Sequence, residues 1–124
     1  MERVILDTNI LIEILKNNRD TIKIVEQFSL HYISEITKME LFYGAFNKQE
    51  LKRLKKFVSL FELIPINESI SNRASELIYR YAKSHNLTIP DGIIASTSIK
   101  LNIELFTYNI KDFHYIDKIK ILKV

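Results

Sequence analysis

The chain has 124 residues, of which 47% are hydrophobic and 27% charged, a composition typical of one globular domain and not of a disordered or fibrous chain. It contains no cysteine, which excludes disulfides, thiolate zinc sites, iron–sulfur clusters and cysteine nucleophiles. Its formal charge of +3 permits nucleic-acid binding without requiring it. No apolar run approaches the roughly 18 residues of a membrane span. We therefore expect a cytoplasmic protein with no membrane partner and a single domain over residues 1–124.

Short apolar runs predict strands, and the segments between them predict helices. The candidate strands are 4–6, 31–33, 63–64, 103–106 and 119–122, with the weakest pattern at 31–33. Helical spacing is clearest over 51–61 and 70–82, and Asn67 is the expected N-cap of the second helix. Strands that alternate with helices imply right-handed crossovers and a mostly parallel sheet covered on both faces, so the fold class is α/β. Ligands of such sheets collect at the carboxyl ends of the strands.

The first candidate site residue, Asp7, follows the strand at 4–6 where a helix over 10–15 begins. A carboxylate at this position suits a metal ion. It equally suits the N-cap of the helix, because Asp accepts the free N–H groups of a first turn. The residue alone leaves both interpretations open.

Glu40 lies in a predicted helix over 34–45. Three hydrophobic residues share its helical face: Ile36, Met39 and Tyr43. Burying an unpaired carboxylate costs several kcal/mol, so on an apolar face Glu40 must be protonated, paired with a cationic side chain or bound to a metal. Gly44, in mid-helix at a cost of about 1 kcal/mol relative to Ala, suggests that another backbone or a substrate comes close.

Asp91 follows Pro90, which suits the first position of a helix, so Asp91 falls in the first helical turn. An acid there is stabilised by the helix dipole by up to about 1 kcal/mol, which is an ordinary structural role. Small and polar residues continue its helical face: Ala95, Ser98 and Asn102. A stripe of this kind is expected of a crevice wall.

Three polar residues follow the strand at 103–106: Thr107, Asn109 and Asp112. By themselves they describe an ordinary turn. Taken with the other acids, they predict several oxygen ligands converging from strand ends and helix starts. Hard ions such as Mg²⁺ and Mn²⁺ require this kind of site.

The order and spacing of these motifs resemble the PIN domain family, and most closely the VapC-type ribonuclease toxins of toxin–antitoxin pairs. Four segments carry the resemblance: 6–9, 34–45, 90–95 and 107–113. It implies a PIN-like three-layer sandwich, with a sheet of four to five strands flanked by helices. It also implies a nuclease that hydrolyses RNA with Mg²⁺ or Mn²⁺, an antitoxin partner and a homodimer.

The resemblance gives three acids catalytic, metal-binding roles: Asp7, Glu40 and Asp91. Many PIN domains have Asp where this chain has Asn109, which puts the fourth acid in question. We favour Asp112 as the fourth catalytic and metal-binding acid, with Asn109 orienting the site. Thr8 and Thr107 are expected to hydrogen-bond to these acids, or simply to cap helices.

The densest basic stretch of the chain lies over 48–56. Four of its residues are candidate RNA contacts, which we call the basic rim: Lys52, Arg53, Lys55 and Lys56. The alternative is an ordinary solvated helix face.

Two other functions fit the length and class of this chain. One is a PIN-fold RNA-binding module with weak or no catalysis, against which the three acids argue. The other is a receiver-type signalling domain, which needs an acidic pair after its first strand and a phosphoacceptor Asp after its middle strand. Here the strand at 63–64 leads to Asn67 instead.

Overall fold

The computed structural model describes residues 2–124, and their strands form one parallel sheet. The strands are β1 (Arg3–Leu6), β2 (Leu30–Ser34), β3 (Glu62–Ile64) and β4 (Leu105–Phe106). Their spatial order is β3-β2-β1-β4, and every neighbouring pair is parallel. All four carboxyl ends therefore lie along one edge of the sheet.

Six α-helices surround this sheet in the described residues. They are α1 (Thr8–Leu15), α2 (Arg19–Glu26), α3 (Glu35–Tyr43), α4 (Lys48–Val58), α5 (Glu68–His85) and α6 (Ile89–Leu101). A 3₁₀ turn, Ile110–Asp112, follows β4. As expected, Asn67 caps α5, its side chain accepting from the N–H of Ile70. None of the helices within residues 2–124 has the length and apolar character needed to span a bilayer.

The side chains of β1 alternate between two hydrophobic clusters, one on each face of the sheet. Val4 and Leu6 pack with residues of α1, α2, α3 and α4, whereas Ile5 packs with residues of α5 and α6. The molecule therefore has three layers, helix–sheet–helix. This confirms the predicted α/β class and the PIN-like sandwich.

The segment at 119–122 forms less of a strand than predicted. Only one isolated parallel bridge, Leu105 to Ile121, joins it to the sheet. Its two backbone hydrogen bonds to the sheet both involve Leu105: the Leu105 N–H donates to Lys120 O and the Leu122 N–H donates to Leu105 O, each at 2.8 Å. Because β4 is only two residues long, it has no further residues with which the segment could pair, and the described sheet has four strands.

Gly92, and not Gly44, marks a close approach of two elements. A Cβ at Gly92 would lie 2.7 Å from Ile78 Cγ1, so α6 packs directly on α5 there. Gly44 ends α3 at φ −81°, and a Cβ there would meet only backbone oxygens, at 3.5 Å or more. The expectation of a mid-helix Gly44 that another backbone approaches is wrong, because the helix ends at this exposed residue. The alternative, approach of a substrate, stays a prediction.

Two helices end at asparagines whose backbone is left-handed, a conformation that glycine adopts more often. Asn86 (φ 58°) ends α5 and Asn102 (φ 53°) ends α6. Asparagine tolerates this conformation because its short polar side chain can bond locally. The chain therefore has left-handed helix ends although it contains only two glycines.

Candidate active site

Asp7 lies at the carboxyl end of β1 and is buried, with 4% of its surface exposed. One carboxylate oxygen accepts from the N–H of Thr8 at 2.8 Å. The other accepts from Asn9 Nδ2 at 2.9 Å and from the Thr107 hydroxyl at 2.7 Å. Asp7 is thus the N-cap of α1, which is one of the two roles that its sequence position allows. The same hydrogen bonds also fix the carboxylate at the edge of the sheet where ligands collect.

Glu40, from α3, lies beside the start of α1. The Thr8 hydroxyl donates to Glu40 Oε1 at 2.7 Å, and it lies 3.2 Å from the hydroxyl of the buried Thr37. The idea that Glu40 occupies a buried apolar face is wrong, since Met39 is 51% and Tyr43 95% exposed. The α3 side chains that are buried are those of Thr37 and Leu41.

Asp91 lies in the first turn of α6, as predicted, and is half-buried. The N-cap of this helix is Thr88, whose hydroxyl accepts from the Asp91 N–H at 3.3 Å. The proposed crevice wall that follows Asp91 is wrong. Ala95 and Ser98 are buried, and the Ser98 hydroxyl donates to Ile103 O at 2.6 Å.

The turn after β4 contributes the remaining residues. Thr107 is buried and bonds to Asp7, so it is a partner of an acid and not a helix cap. Asn109 is exposed, and its contact with this group is through its backbone N–H, which donates to the Thr107 hydroxyl at 3.0 Å. Asp112 is half-buried, and its charge acts on both Asp7 and Asp91.

Two of the acids, Asp7 and Asp91, have raised pKa values. Burial raises the pKa of Asp7 above its usual 3.8, although its hydrogen bonds from Thr107, Thr8 and Asn9 oppose the shift and the charge of Asp112 adds to it. Burial raises the pKa of Asp91 to about 6, helped by the charges of Asp7, Asp112 and Glu40. The cluster is therefore a local concentration of negative charge.

No cationic side chain compensates this charge within residues 2–124. The ion pairs there are Glu13 with Lys16, Glu35 with Lys38, and Glu76 with Arg73. Within the described residues, Glu40 therefore does not form the ion pair with Lys or Arg that would give it a purely structural role. An external cation would relieve the repulsion.

A hard divalent cation fits this donor set. The donors are carboxylate oxygens, which Mg²⁺ and Mn²⁺ prefer. In the described part of the chain, no three acidic or histidine side chains already converge tightly enough to hold a metal ion. Mg²⁺ does not require such a group, because it keeps several waters and binds through one or two carboxylates plus substrate phosphates.

Sequence reasoning gave no role to two residues of the site, Asn9 and Thr37. Asn9 bridges two segments: Nδ2 donates to Asp7, and Oδ1 accepts from the N–H of Tyr108 at 3.1 Å. Thr37 lies one helical turn before Glu40 and contacts Thr8. The available signals were the position of Asn9 two residues beyond Asp7 and the spacing of Thr37 and Glu40 on one helical face.

The basic rim lies on α4, and its four side chains are exposed and line a shallow surface hollow of about 580 Å³. Three residues separate the end of α4 from the start of β3, so the last turn of α4 lies near the amino end of that strand. The acids lie at the opposite, carboxyl edge. Among residues 2–124, no hydrogen bond or ion pair joins the basic rim to the acids.

Comparison with known proteins gives consistent matches over almost the whole chain. The family model described as PIN domain matches residues 4–119. Ribonuclease VapC1 of Methanocaldococcus jannaschii is 34% identical over 113 residues, covering 90% of this chain and 79% of the relative. A toxin–antitoxin complex from Klebsiella pneumoniae contains a chain with 32% identity and a TM-score of 0.78, covering 94% of both chains. VapBC2 from Rickettsia felis, bound to a promoter DNA fragment, has 27% identity and a TM-score of 0.81, covering 97% of both chains.

Proposed function

The chain belongs to the PIN domain family, as a VapC-type ribonuclease toxin, and we propose that it is a divalent-metal-dependent endoribonuclease formed by one domain over residues 1–124. The observation that carries this proposal is the cluster of four carboxylates without a cationic partner in the described residues. Each acid comes from a different segment of the chain: Asp7, Glu40, Asp91 and Asp112. Family membership argues against a receiver-type signalling domain.

The side chains around the acids have positioning roles in this proposal. Thr107, Asn9 and the Thr8 N–H hold the Asp7 carboxylate in one orientation, which leaves its negative charge at the carboxyl edge of the sheet. The Thr8 hydroxyl does the same for Glu40. Asn109 supports Thr107 through its backbone N–H, a contact that does not depend on its side chain, so an orienting role for the Asn109 amide stays a prediction.

Mg²⁺ or Mn²⁺ held by Asp7, Glu40, Asp91 and Asp112 would lower the pKa of a bound water and stabilise charge on the phosphoryl oxygens. The acids would hold the cation and set its position, and the cation would offset the burial and charge repulsion that raise the pKa values of Asp7 and Asp91. The basic rim would bind phosphates of the RNA at a distance from the cleaved bond. The family resemblance implies products with 5′-phosphate and 3′-hydroxyl ends.

The partners of the solved relatives support the proposed setting. The Klebsiella pneumoniae structure is a toxin–antitoxin complex, and the Rickettsia felis structure is a VapBC complex on promoter DNA. We propose that this chain likewise has a cognate antitoxin, forms a homodimer and acts on RNA in the cytoplasm, inhibiting translation and growth.

The test is cleavage of total cellular RNA by the purified chain, with the new ends mapped by sequencing. We expect cleavage in Mg²⁺ or Mn²⁺, none in EDTA, and recovery when the ion is added back. A 5′-phosphate on the new ends would agree with hydrolysis by an activated water. Undiminished cleavage in EDTA would contradict the proposal.

A further inference from the structure

Thr21 is a buried residue of α2 whose hydroxyl group the packing of the helix does not require. The other buried residue of α2 is Val25, and valine has nearly the same shape as threonine. A buried hydroxyl is costly unless it forms a hydrogen bond. The Thr21 hydroxyl shares one, 2.6 Å long, with the hydroxyl of Tyr108, 87 residues further along the chain. What the hydroxyl contributes is therefore this long-range contact.

Tyr108 is bonded to two helices of the same layer. Its hydroxyl is bonded to Thr21 in α2, and its backbone N–H donates to Oδ1 of Asn9 in α1 at 3.1 Å. Its ring, 43% exposed, meets the buried Phe106 edge-on, with centroids 5.3 Å apart. These contacts hold the chain in place just after β4.

The turn that Tyr108 holds contains partners of the acids. Thr107, the residue before it, donates to Asp7 Oδ2 at 2.7 Å, and Asn9 Nδ2 donates to the same oxygen at 2.9 Å. Asp112 lies four residues after Tyr108, in the 3₁₀ turn. The strand pairing of β4 ends before this turn begins. The position of the turn therefore depends on contacts such as those of Tyr108.

We propose that Thr21 and Tyr108 form a latch, the Thr21–Tyr108 latch, which holds the turn after β4 against Asp7. The latch keeps the Thr107 hydroxyl on the Asp7 carboxylate and fixes the start of the segment that carries Asp112. Neither residue of the latch has to touch the metal ion or the RNA, so both are positioning residues. The inference rests on the proposed function, because the acids that the latch positions are those of the proposed metal site.

The first experiment measures Mn²⁺ binding to the purified full-length chain by the electron paramagnetic resonance of free Mn²⁺. Tyr108→Phe keeps the ring and the backbone N–H, and Thr21→Val keeps the shape of the side chain, but each removes the hydrogen bond of the latch. We expect Kd to rise about threefold in each variant. This is less than the roughly tenfold or more seen for direct partners of metal-binding side chains, because the latch acts through Asn9 and Thr107. The double variant should show no further rise, because both changes remove the same bond.

Amide hydrogen exchange in the metal-free chain reports on the turn directly. The groups to follow are the N–H of Tyr108, bonded to Asn9 Oδ1, and the N–H of Asn109, bonded to the Thr107 hydroxyl at 3.0 Å. Both should exchange about tenfold faster in Tyr108→Phe and Thr21→Val, because the turn opens more often. Thr21→Ser keeps a hydroxyl at this position and should retain the exchange rates and the Mn²⁺ affinity of the unaltered chain.

Ser98→Ala is the matched control for a general loss of stability. The Ser98 hydroxyl is also buried and donates to Ile103 O at 2.6 Å. Ser98 lies seven residues after Asp91 on α6, about 10 Å along the helix axis. Its replacement should lower the melting temperature, as the latch variants do, but leave Kd and the exchange of the two turn amides unchanged. Circular dichroism establishes that each variant is folded.

Unaltered Mn²⁺ affinity or unaltered exchange of the turn amides in folded Tyr108→Phe would overturn the inference. An equal loss of Mn²⁺ affinity in Ser98→Ala would also overturn it. If Tyr108→Phe does not fold, Thr21→Val and Thr21→Ser decide the question, and equal Mn²⁺ affinity of these two variants would count against the latch. Absence of Mn²⁺ binding by the unaltered chain would instead contradict the proposed function, and the amide exchange would still decide whether the latch holds the turn.

Discussion

At the scale of single residues, the chemistry of the site depends on how Asp7 is held. Its two oxygens accept three hydrogen bonds, yet burial still raises its pKa, so the ionised form is destabilised unless a cation arrives. Capping α1 and binding a metal ion are therefore compatible roles for Asp7. A carboxylate that caps α1 is also fixed at the site, because the strand end and the helix start coincide there.

The raised pKa of Asp91 predicts how stability depends on pH. Its pKa rises from 3.8 to about 6 on folding, so the folded chain binds this proton more tightly than the unfolded chain. The resulting stabilisation is complete below about pH 4 and is lost as the pH rises through 6. Urea unfolding in EDTA should show the free energy of unfolding falling across this window relative to Asp91→Asn, which has no carboxyl at this position. Parallel pH profiles for the two proteins would contradict the shift. At pH 7.5, added Mg²⁺ should stabilise the unaltered chain more than at pH 5.

Sequence reasoning locates the acids better than their partners. Asp7, Asp91 and Asp112 follow strand ends or begin helices, which are local signals. The partners of Glu40 are not local, since Thr8 lies 32 residues away along the chain. Glu40 was singled out for a reason that the structure contradicts, the burial of its helical face, because the side on which a short helix packs is decided by the elements around it.

At the scale of elements, the packing of α6 on α5 positions Asp91. Gly92 lies next to Asp91 and lets the two helices approach closely. Helix α2 had no separate prediction, since it is only eight residues long and mostly polar. The pattern at 31–33 was the weakest of the strand predictions, yet β2 lies inside the sheet, because pairing on both sides compensates for its poor pattern.

The two glycines should respond oppositely to alanine. Gly92→Ala places a Cβ within 3 Å of two Ile78 atoms. Overpacking costs about 1–3 kcal/mol and the gain in helix propensity returns about 1, so we expect a net loss of about 1 kcal/mol. Gly44→Ala meets no such contact and should stabilise the chain by about 0.4–1 kcal/mol. Urea unfolding of both variants measures this, and a stabilising Gly92→Ala would contradict the close approach.

At the scale of the whole molecule, the small net charge of +3 combines two separate features. Carboxylates concentrate at the carboxyl edge of the sheet, whereas the basic rim lies on α4, whose last turn is near the amino end of β3. An RNA that reaches both must extend across one face of the molecule. Composition gives the sum of these charges but not their separation, because the separation arises from the order of strands in the sheet.

Neutralising the basic rim should weaken RNA binding without changing the chemistry. For Lys52, Lys55 and Lys56 together changed to Gln, we expect KM to rise and kcat to stay the same. Each lost phosphate contact should reduce the slope of log affinity against log salt by about 0.7. The control is a variant with the same charge loss at exposed positions elsewhere: Lys83, Lys100 and Lys123. If both variants lose affinity equally, the basic rim is an ordinary solvated face.

The central claim is that the acid cluster performs metal-dependent RNA hydrolysis. Single-turnover cleavage of RNA in Mg²⁺ by Asp7→Asn and Glu40→Gln, beside the unaltered chain, tests it most directly. We expect each variant to keep its circular dichroism spectrum and to lose cleavage by about 100-fold or more, since several kcal/mol of charge stabilisation is lost. Full cleavage by either folded variant would contradict the assignment.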